Sequence, residues 1–430
     1  DGSAMTADDV VFSIERAVAP PSQRAFQIQG VTGARQVDEL TVDLLLATPD
    51  AVLPEKMQYI SIMSRAWAQK HGVEKSQDFN AKQETFTVRH ANGTGPYRLE
   101  RYEPEVTAVL KAHPQWWGRA DKRNGNVDEV RFVPIRSDAT RLAALASGEV
   151  DLVLDPPFQD VERLQREGQQ KLTQVADLGQ QYIAFDQQRG ELESADVKGR
   201  NPFKDIRVRR AVYHALNMDL ITQKVLRGQA QPTGAFLSTK VDGSLPELDK
   251  RLPHDPAKAR ALLAEAGYPN GFAVTWDCLN IAYREKVCQA AAAMLTQVGI
   301  RVTLRSMTTT QFVPKLTQGT ASMIEYGWTP QTDAWSSLNG LFRTWSAGGQ
   351  GAYNAGRYSN PQLDTLIDNI RVEPDITRRR AMVGVALRLV ADDLPVVPLY
   401  RRMLSWAMNK KVSLVHWPND TVELRWVSVK

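Results

Sequence analysis

The sequence predicts a mixed α/β protein with more than one domain. Its 430 residues exceed the size at which a single hydrophobic core usually stops growing. Segments with apolar residues at helical spacing alternate along the chain with short segments in which apolar and polar residues alternate, as in strands. Neither an internal repeat nor a low-complexity linker interrupts this pattern.

The first predicted element is a helix that begins after Thr6. Thr6 is a suitable N-cap, and Asp8 and Asp9 place negative charge in the first turn, where the helix dipole favours it. One apolar stripe then follows at helical spacing, formed by Val10, Val11, Ile14, Ala17 and Val18.

Alternating patterns predict strands at 37–46, 106–111 and 127–133. A helix at 138–146, closed by Gly148, and a strand at 150–154 come next. The order strand, helix, strand predicts a βαβ unit in this region.

The later helices have clear boundary signals. Asp205, Asp255 and Asn360 each stand at a predicted N-cap, and Pro256 stands at the first helical position. The alternating tail predicts a final strand at 422–427. The remaining predicted elements are helices at 208–217, 256–266, 286–298, 362–370 and 376–391 and a strand at 300–305.

Composition excludes several functional classes. Hydrophobic residues make up 43% of the chain and charged residues 24%, and no stretch approaches the 18 apolar residues of a membrane-spanning helix. The net charge of +4 is interspersed, and the densest basic run, 378–380, lies in a helical pattern. We therefore expect a solvated helix face there and no nucleic-acid partner.

Cys278 and Cys288 are the only cysteines, and they flank a predicted connection between a strand and a helix. In an exported protein a disulfide here would close a short loop and stabilise the fold by about 2–3 kcal/mol. Two buried free thiols are the alternative.

Signatures of catalysis are absent from the sequence. It contains no Walker A motif, no His-Glu-x-x-His and no Gly-x-Ser-x-Gly. Its six histidines are scattered without the spacing of metal ligands. We expect no enzymatic activity, no cofactor and no metal site built by the protein, although a metal carried by a small chelator stays open.

Six sequence blocks, in order, resemble the signatures of family 5 bacterial extracellular solute-binding proteins. This resemblance implies an α/β, two-lobe, periplasmic-binding-protein-like fold of type II, similar to dipeptide-binding proteins, with strands as the hinge. The blocks are DGSAMTADDVVFSIERAV at 1–18, GTGPY at 93–97, RLAALASGEVD at 141–151, NPFKDIRVRRA at 201–211, DPAKARALLAEAG at 255–267 and YSNPQLD at 358–364.

The resemblance also implies the domain boundaries. We expect a first lobe at 1–181, a second lobe at 182–398 and a return segment to the first lobe at 399–430. Because the first signature lies well inside the mature proteins of the family, we expect the opening part of the first lobe and the secretion signal to precede residue 1.

The implied function is solute capture for transport. Such a protein would be a periplasmic protein or an extracellular lipoprotein that acts as a monomer. It would close its two lobes around a peptide or peptide-like solute and deliver the solute to the transmembrane subunits of an ABC permease.

The segment 326–335 resembles the family loop GW-x-x-D-x-x-DP, whose aspartate pairs with the peptide α-amine. Tyr326 and Trp328 are candidate ligand contacts in this loop. Gln331 stands where the aspartate would be, and Asp333 is close by as a possible substitute. Trp328 and Trp335 have core packing as the alternative, and Asp333 has helix capping.

Two further loops carry candidate ligand contacts by the same resemblance. One contains Asn280, Tyr283 and Arg284, where relatives grip a ligand carboxylate. The other contains Tyr353, Asn354 and Arg357, although a structural salt bridge is favoured for the arginine.

Other functions stay open. The same fold could bind a metal chelate, an opine or an oligosaccharide, and the glutamine in the amine-binding loop keeps this possible. A sensor or chaperone that engages a protein partner would require an exposed apolar patch away from the cleft. A hydrolase is disfavoured because no nucleophile and base signature is found.

Overall fold

The chain divides into two units. The computed structural model describes residues 2–22, 24–25, 27–78, 84–330, 333–347 and 349–430. Unit 1 consists of Asp1–Thr173, Ser405–Trp417 and Thr421–Lys430, and unit 2 consists of Gln174–Leu404 and Pro418–Asp420. The main changes of unit therefore fall at 173–174 and at 404–405.

Unit 1 begins with helix α1 (Ala7–Val18), and its predicted start is confirmed. A capping box closes this end, because the Thr6 backbone N–H donates to Asp9 Oδ2 over 2.9 Å. The other Asp9 oxygen accepts from the Arg65 backbone N–H over 2.8 Å. Ile14 lies in a buried apolar cluster with Ile28.

The other elements of unit 1 up to the first change of unit are mostly short. They are β1 (Val31–Gln36), β2 (Val42–Leu46), α2 (Leu53–Met57), α3 (Arg65–Lys70), β3 (Tyr97–Glu103), β4 (Thr107–Ala112), β5 (Glu129–Phe132), α4 (Asp138–Ser147), β6 (Leu152–Leu154), α5 (Phe158–Glu167) and β7 (Lys171–Ala176), which continues into unit 2.

Unit 2 alternates strands and helices before the chain returns to unit 1. Its elements are β8 (Gln180–Phe185), α6 (Ile206–Ala215), α7 (Met218–Leu220), β9 (Ala230–Pro232), α8 (Pro256–Glu265), β10 (Phe272–Leu279), α9 (Ala282–Gln297), β11 (Ile300–Met307), α10 (Thr309–Gln318), β12 (Met323–Trp328), α11 (Ala334–Ser337), α12 (Pro361–Val372), α13 (Ile376–Asp393), β13 (Val396–Pro398) and β14 (Tyr400–Met408), which continues into unit 1. In unit 1, β15 (Val412–Ser413) and β16 (Ser428–Val429) follow.

Short helices of other types complete these elements. The structure has 3-10 helices at Phe86–Val88, Pro202–Lys204, Pro246–Asp249 and Leu424–Trp426 and π-helical turns at Ile221–Val225 and Leu338–Phe342.

The largest sheet of the described residues lies in unit 2, with strand order β11-β10-β12-β8-β13. Strands β10, β11 and β12 are parallel, and β8 is antiparallel to β12, with Trp328 opposite Gln180 and Met323 opposite Phe185. One edge of this sheet, the carboxyl edge, is formed by the last residues of β10, β11 and β12 together with Gln180. The amino edge lies at the Phe185 end.

Strand β8 runs through the core of unit 2. All six of its residues are buried, and Tyr182, Ile183, Ala184 and Phe185 are at most 1% exposed. The Phe185 ring packs against Phe203, which packs in turn against Phe272. A central strand that is buried on both faces fixes the register of its neighbours.

The predicted βαβ unit is wrong, although its helix and strands form. Strand β5 pairs with β4 in a three-stranded antiparallel sheet with β3, whereas β6 pairs with β14. The two strands that flank α4 therefore belong to different sheets. Their sequence patterns report alternation but not the partner, and the partner of β6 lies about 250 residues later along the chain.

Two predicted strands are shorter than expected. Of 37–46, only β2 is a strand, because the Val37 backbone N–H donates to the Thr41 carbonyl in the turn between β1 and β2. In the tail, Leu424–Trp426 forms a 3-10 helix and only Ser428–Val429 pairs, with β15.

Most predicted helix ends are confirmed. Asp205, Asp255 and Asn360 each accept a backbone N–H from the first turn of α6, α8 and α12. Helix α4 ends at Gly148, whose φ of 80° is left-handed and suits glycine. Among the described residues, none of the helices combines the length and the apolar character of a membrane span.

Candidate functional site

The carboxyl edge of the unit 2 sheet brings together several residues from the predicted ligand loops. In open α/β sheets, ligands bind beyond the carboxyl ends of the strands. Asn280 directly follows β10, and Trp328 ends β12, which is parallel to β10. Both loops therefore reach the same edge, and their side chains can face one ligand.

Trp328 and Tyr353 form a half-buried aromatic pair at this edge. Their ring centroids are 5.1 Å apart, and the planes are tilted by 54°. The indole Nε1 of Trp328 donates to Ser337 Oγ over 2.9 Å, which fixes the orientation of the ring. Because both rings are partly exposed, they offer an apolar surface against which a solute can pack.

Arg284 lies in the same region, but its guanidinium already has a carboxylate partner. Its Nη2 is 2.7 Å from Glu325 Oε2, and its Nε is 2.9 Å from the same oxygen. Burial raises the pKa of Glu325, and the positive charge of Arg284 opposes that rise. A ligand carboxylate at Arg284 would have to compete with Glu325.

A disulfide fixes the loop that carries Asn280, Tyr283 and Arg284. Cys278, near the end of β10, is bonded to Cys288, in the second turn of α9. Both sulfur atoms are buried. The carboxylate of Glu325 lies within 4.8 Å of both sulfurs. A metal would need cysteine thiolates as ligands, and the sulfurs of a disulfide carry no thiolate. Cys278, Cys288 and Glu325 therefore do not offer a metal the ligands that two free cysteines and a carboxylate would offer.

Asp333 is the N-cap of α11, since its Oδ1 accepts from the Trp335 backbone N–H over 2.6 Å. Trp335 is a core residue, and its Nε1 donates to the Ile367 carbonyl over 3.0 Å. Gln331, the residue that stands at the amine-binding position of the family loop, lies outside the described residues.

Asn354 and Arg357 are not brought next to Trp328. The side-chain amide of Asn354 donates to the Arg343 carbonyl over 2.9 Å and to the Tyr358 carbonyl over 2.7 Å, which holds its own turn together.

Arg357 donates to the Thr317 carbonyl over 2.7 Å and lies over the Trp345 ring at 4.6 Å. The neighbouring Gly356 contacts the Phe185 carbonyl at the amino edge. Five residue steps along β8 separate the two edges by about 16 Å. Among the residues that the structure describes, Arg357 forms backbone hydrogen bonds there rather than the expected salt bridge.

Strands β8, β12 and β14 carry four buried polar atoms that have no hydrogen-bond partner in the part of the chain that the structure describes. Buried polar groups are almost always satisfied in folded proteins, so such a group indicates water or a ligand. One of these atoms is the hydroxyl of Tyr326, a candidate ligand contact from the sequence. Burial raises the pKa of this phenol. The atoms are Gln180 Nε2, Gln181 Oε1, the Tyr326 hydroxyl and the Tyr400 hydroxyl.

Gln180, Gln181 and Tyr400 were not predicted from the sequence. A signal for the two glutamines is present in hindsight, since two adjacent amides open a strand that is otherwise apolar. Tyr400 follows β13 and carries no comparable signal. The carboxyl edge therefore combines an aromatic surface with neutral hydrogen-bonding groups.

The chain matches a family model. Residues 1–349 match the model described as bacterial extracellular solute-binding proteins, family 5 Middle. This match covers most of unit 1 and most of unit 2, including β8, β10 and β12 of the carboxyl edge.

Individual proteins resemble the chain over nearly its whole length. The glutathione-binding protein GsiB of Pectobacterium atrosepticum is 28% identical over 434 residues, which cover 98% of this chain and 79% of the relative. The peptide complex of DppA from Helicobacter pylori matches with a TM-score of 0.81 at 23% identity, covering 99% of this chain and 81% of that one. The protein AgaA of A. tumefaciens R10, in complex with agropinic acid, matches with a TM-score of 0.80 at 21% identity, covering 100% and 84%. These structures share the two-lobe fold of periplasmic binding proteins.

Proposed function

The chain belongs to family 5 of the bacterial extracellular solute-binding proteins, and we propose that it captures a peptide or peptide-like solute and delivers it to an ABC permease. The relatives named above are binding proteins, and the sequence lacks the signatures of catalysis. The chain therefore acts by binding and release.

The observation that carries this proposal is the set of buried polar atoms at the carboxyl edge. Gln180 Nε2 is a donor and the Tyr326 hydroxyl can donate or accept, and both are without a partner among the described residues. Their side chains leave the same face of the sheet, because Tyr326 is opposite Tyr182 and successive strand residues alternate between the faces. A peptide backbone offers one donor and one acceptor at each residue. Main-chain recognition of this kind lets side chains of different types be accommodated in the same site.

The aromatic pair supports the same assignment. Trp328 and Tyr353 present half-buried rings that can pack against the apolar part of a solute. The curated relative is named as a glutathione-binding protein, and the DppA structure holds the peptide STSA. Short peptides are therefore the first solutes to test.

The deciding experiment is mass spectrometry of the small molecules that leave the purified protein on denaturation. A binding protein saturated at one hundred times its Kd gains about 2.7 kcal/mol of stability from its ligand and can retain it through purification. Release of short peptides, followed by calorimetric titration with the same peptides, is the expected result. A protein that neither retains nor binds any peptide in titration contradicts the proposal.

A non-peptide solute is the alternative, and one observation favours it. Gln331 replaces the aspartate expected to anchor a peptide amine, and AgaA, with the same fold, was solved with agropinic acid. Release of one non-peptide species in the same experiment would support this alternative.

We place the protein outside the cytoplasm, in the periplasm, as a monomer that works with the transmembrane subunits of its permease. The family description as extracellular supports this location, and the disulfide is of a type that persists in oxidising compartments. Light scattering on a size-exclusion column tests the monomer, and fractionation of cells tests the location.

A further inference from the structure

A charged cluster stands beside the carboxyl edge, and none of its residues belongs to the loops that the resemblance singles out. Asp177 follows β7, Arg402 lies in β14 and Asp420 lies in the short return of the chain to unit 2. Arg402 Nε is 3.5 Å from Asp177 Oδ2, and Arg402 Nη2 is 3.5 Å from Asp420 Oδ2. Two carboxylates thus share one guanidinium.

These contacts are longer than those of a tight ion pair. Charge-assisted N–H···O hydrogen bonds usually span 2.7–2.9 Å, as in the 2.7 Å contact of Arg284 with Glu325. Asp177 is only 4% exposed, and the side chain of Arg402 is 15% exposed. Because burial is the largest influence on Asp177, its pKa is raised even though Arg402 is near.

Asp177 faces the loop that follows Trp328. Both carboxylate oxygens of Asp177 and the Thr329 hydroxyl lie within 3.1 Å of the point that a Cβ on Gly179 would occupy. Its Oδ1 also accepts the Gly179 N–H over 2.7 Å, which holds the carboxylate in place. A buried carboxylate therefore stands beside the loop in which Gln331 replaces the expected acid.

A second, independent feature at the cluster points to a ligand. The Tyr400 hydroxyl is fully buried and has no hydrogen-bond partner among the described residues. Tyr400 and Arg402 are two residues apart in β14, so their side chains leave the same face of the strand. Burial raises the pKa of this phenol, and the charges of Glu325, Arg284 and Arg402 also act on it. The guanidinium of Arg402 also lies over the Tyr283 ring at 5.8 Å.

We infer that Asp177 and Arg402 bind an amino-acid head group, in which an ammonium and a carboxylate are attached to the same carbon atom. Asp177, with the Thr329 hydroxyl, accepts hydrogen bonds from the ammonium. Arg402 and the Tyr400 hydroxyl donate to the carboxylate. An aspartate and an arginine side by side match these two adjacent charges.

This arrangement favours one class of solute. The inference rests on the proposed solute-binding function. A γ-linked glutamyl peptide keeps the ammonium and the carboxylate of its first residue on one carbon. An ordinary α-linked peptide has only the ammonium there, because its first carboxyl group forms the peptide bond. The cluster therefore favours γ-glutamyl peptides and other solutes that carry a free ammonium and a free carboxylate on the same carbon atom.

Calorimetric titration with three matched probes tests this inference on the intact chain. The probes are glutathione, its N-acetyl derivative and the α-linked isomer Glu-Cys-Gly. We expect glutathione to bind at least tenfold more tightly than either of the others. Asp177→Asn and Arg402→Gln should each weaken glutathione binding roughly a hundredfold, as for truncation of one member of a buried charged contact.

Asp196→Asn is the matched control. Asp196 pairs with Arg301 over 2.8 Å near the start of β10, at the amino edge of the same sheet, so its loss should leave binding within twofold. The probe series on the unaltered protein keeps the test valid if a variant fails to fold.

The outcomes separate the two proposals. Equal affinity for the three probes, or wild-type affinity in both variants, overturns the head-group assignment and leaves solute binding standing. Binding only of solutes without an amino-acid head group also overturns it. A protein that binds no solute of any class contradicts the proposed function itself.

Discussion

Arg284, in the first turn of α9, forms a buried ion pair with Glu325 in the middle of β12. The two side chains are 9% and 1% exposed, and Nη2 and Oε2 are 2.7 Å apart. The Arg284 guanidinium also lies 5.9 Å from the Phe312 ring. The pair joins helix α9 to the central part of the sheet, beneath the edge where the proposed ligand binds.

The first prediction concerns the stability that depends on this pair. Glu325→Gln keeps the shape of the side chain but leaves the Arg284 cation buried without its counter-charge. Breaking a buried pair in this way costs about 3–5 kcal/mol. Urea unfolding at pH 7 measures the change in the free energy of unfolding.

A double variant provides the control for this prediction. Arg284→Met combined with Glu325→Leu removes both charges together and should cost less than Glu325→Gln alone, because no unpaired charge remains. The exposed pair of Asp196 and Arg301 should contribute at most about 1 kcal/mol in the same assay. If the double variant lowers the free energy of unfolding by as much as the two single substitutions together, the account is refuted.

The second prediction concerns the disulfide. Replacing Cys278 and Cys288 by serine opens a loop of ten residue steps and should lower the free energy of unfolding by about 2–3 kcal/mol. Chemical denaturation measures this loss. Hydrogen exchange should increase in the first turns of α9, which carry Tyr283 and Arg284. An unchanged exchange rate there would show that packing alone holds the loop.

Local features of the fold could be predicted from the sequence because their causes are local. Asp255 accepts the Lys258 N–H over 2.8 Å at the start of α8, as its position before Pro256 indicated. Pairing between distant strands could not be predicted in the same way, because β6 finds its partner in β14 through tertiary packing. The two-lobe fold came from the resemblance rather than from the periodicity.

The candidate site was predicted in part for the same reason. The loop of Trp328 and the loop of Asn280 reach one edge because their strands are parallel. The partner of Arg284 lies 41 residues away, in β12, and no pattern links the two. Asp177 follows a short strand with no motif, and only the folded chain places it beside Thr329.

The third prediction concerns the aromatic surface. Trp328→Ala removes the ring that packs on Tyr353 and should weaken solute binding roughly tenfold to a hundredfold, as for a buried aromatic contact. Trp328→Phe keeps a ring but loses the hydrogen bond to Ser337, so its effect should be intermediate. Titration with the solute released from the purified protein gives the affinities.

Trp345→Ala is the comparison for that series. This side chain is 43% exposed and lies with Arg357 at the amino edge, away from the proposed site. Its loss should leave solute affinity unchanged within twofold. A loss of affinity as large as that of Trp328→Ala would move the site away from the carboxyl edge.

The fourth prediction is a pH dependence of stability at the start of α6. The Arg207 side chain donates to the Asp205 carboxylate and holds the pKa of this group below its ordinary value, although burial acts in the opposite direction. A lowered pKa in the folded state stabilises the fold above the ordinary pKa of aspartate, about 3.9, and this stability is lost as the pH falls through the folded value. Asp205→Asn keeps a capping side chain but does not titrate. Wild type should therefore be more stable than the variant at pH 7, and the difference should shrink as the pH falls from 5 towards 3 in urea unfolding. A difference that stays constant or widens on acidification would show that Asp205 acts only as a neutral cap.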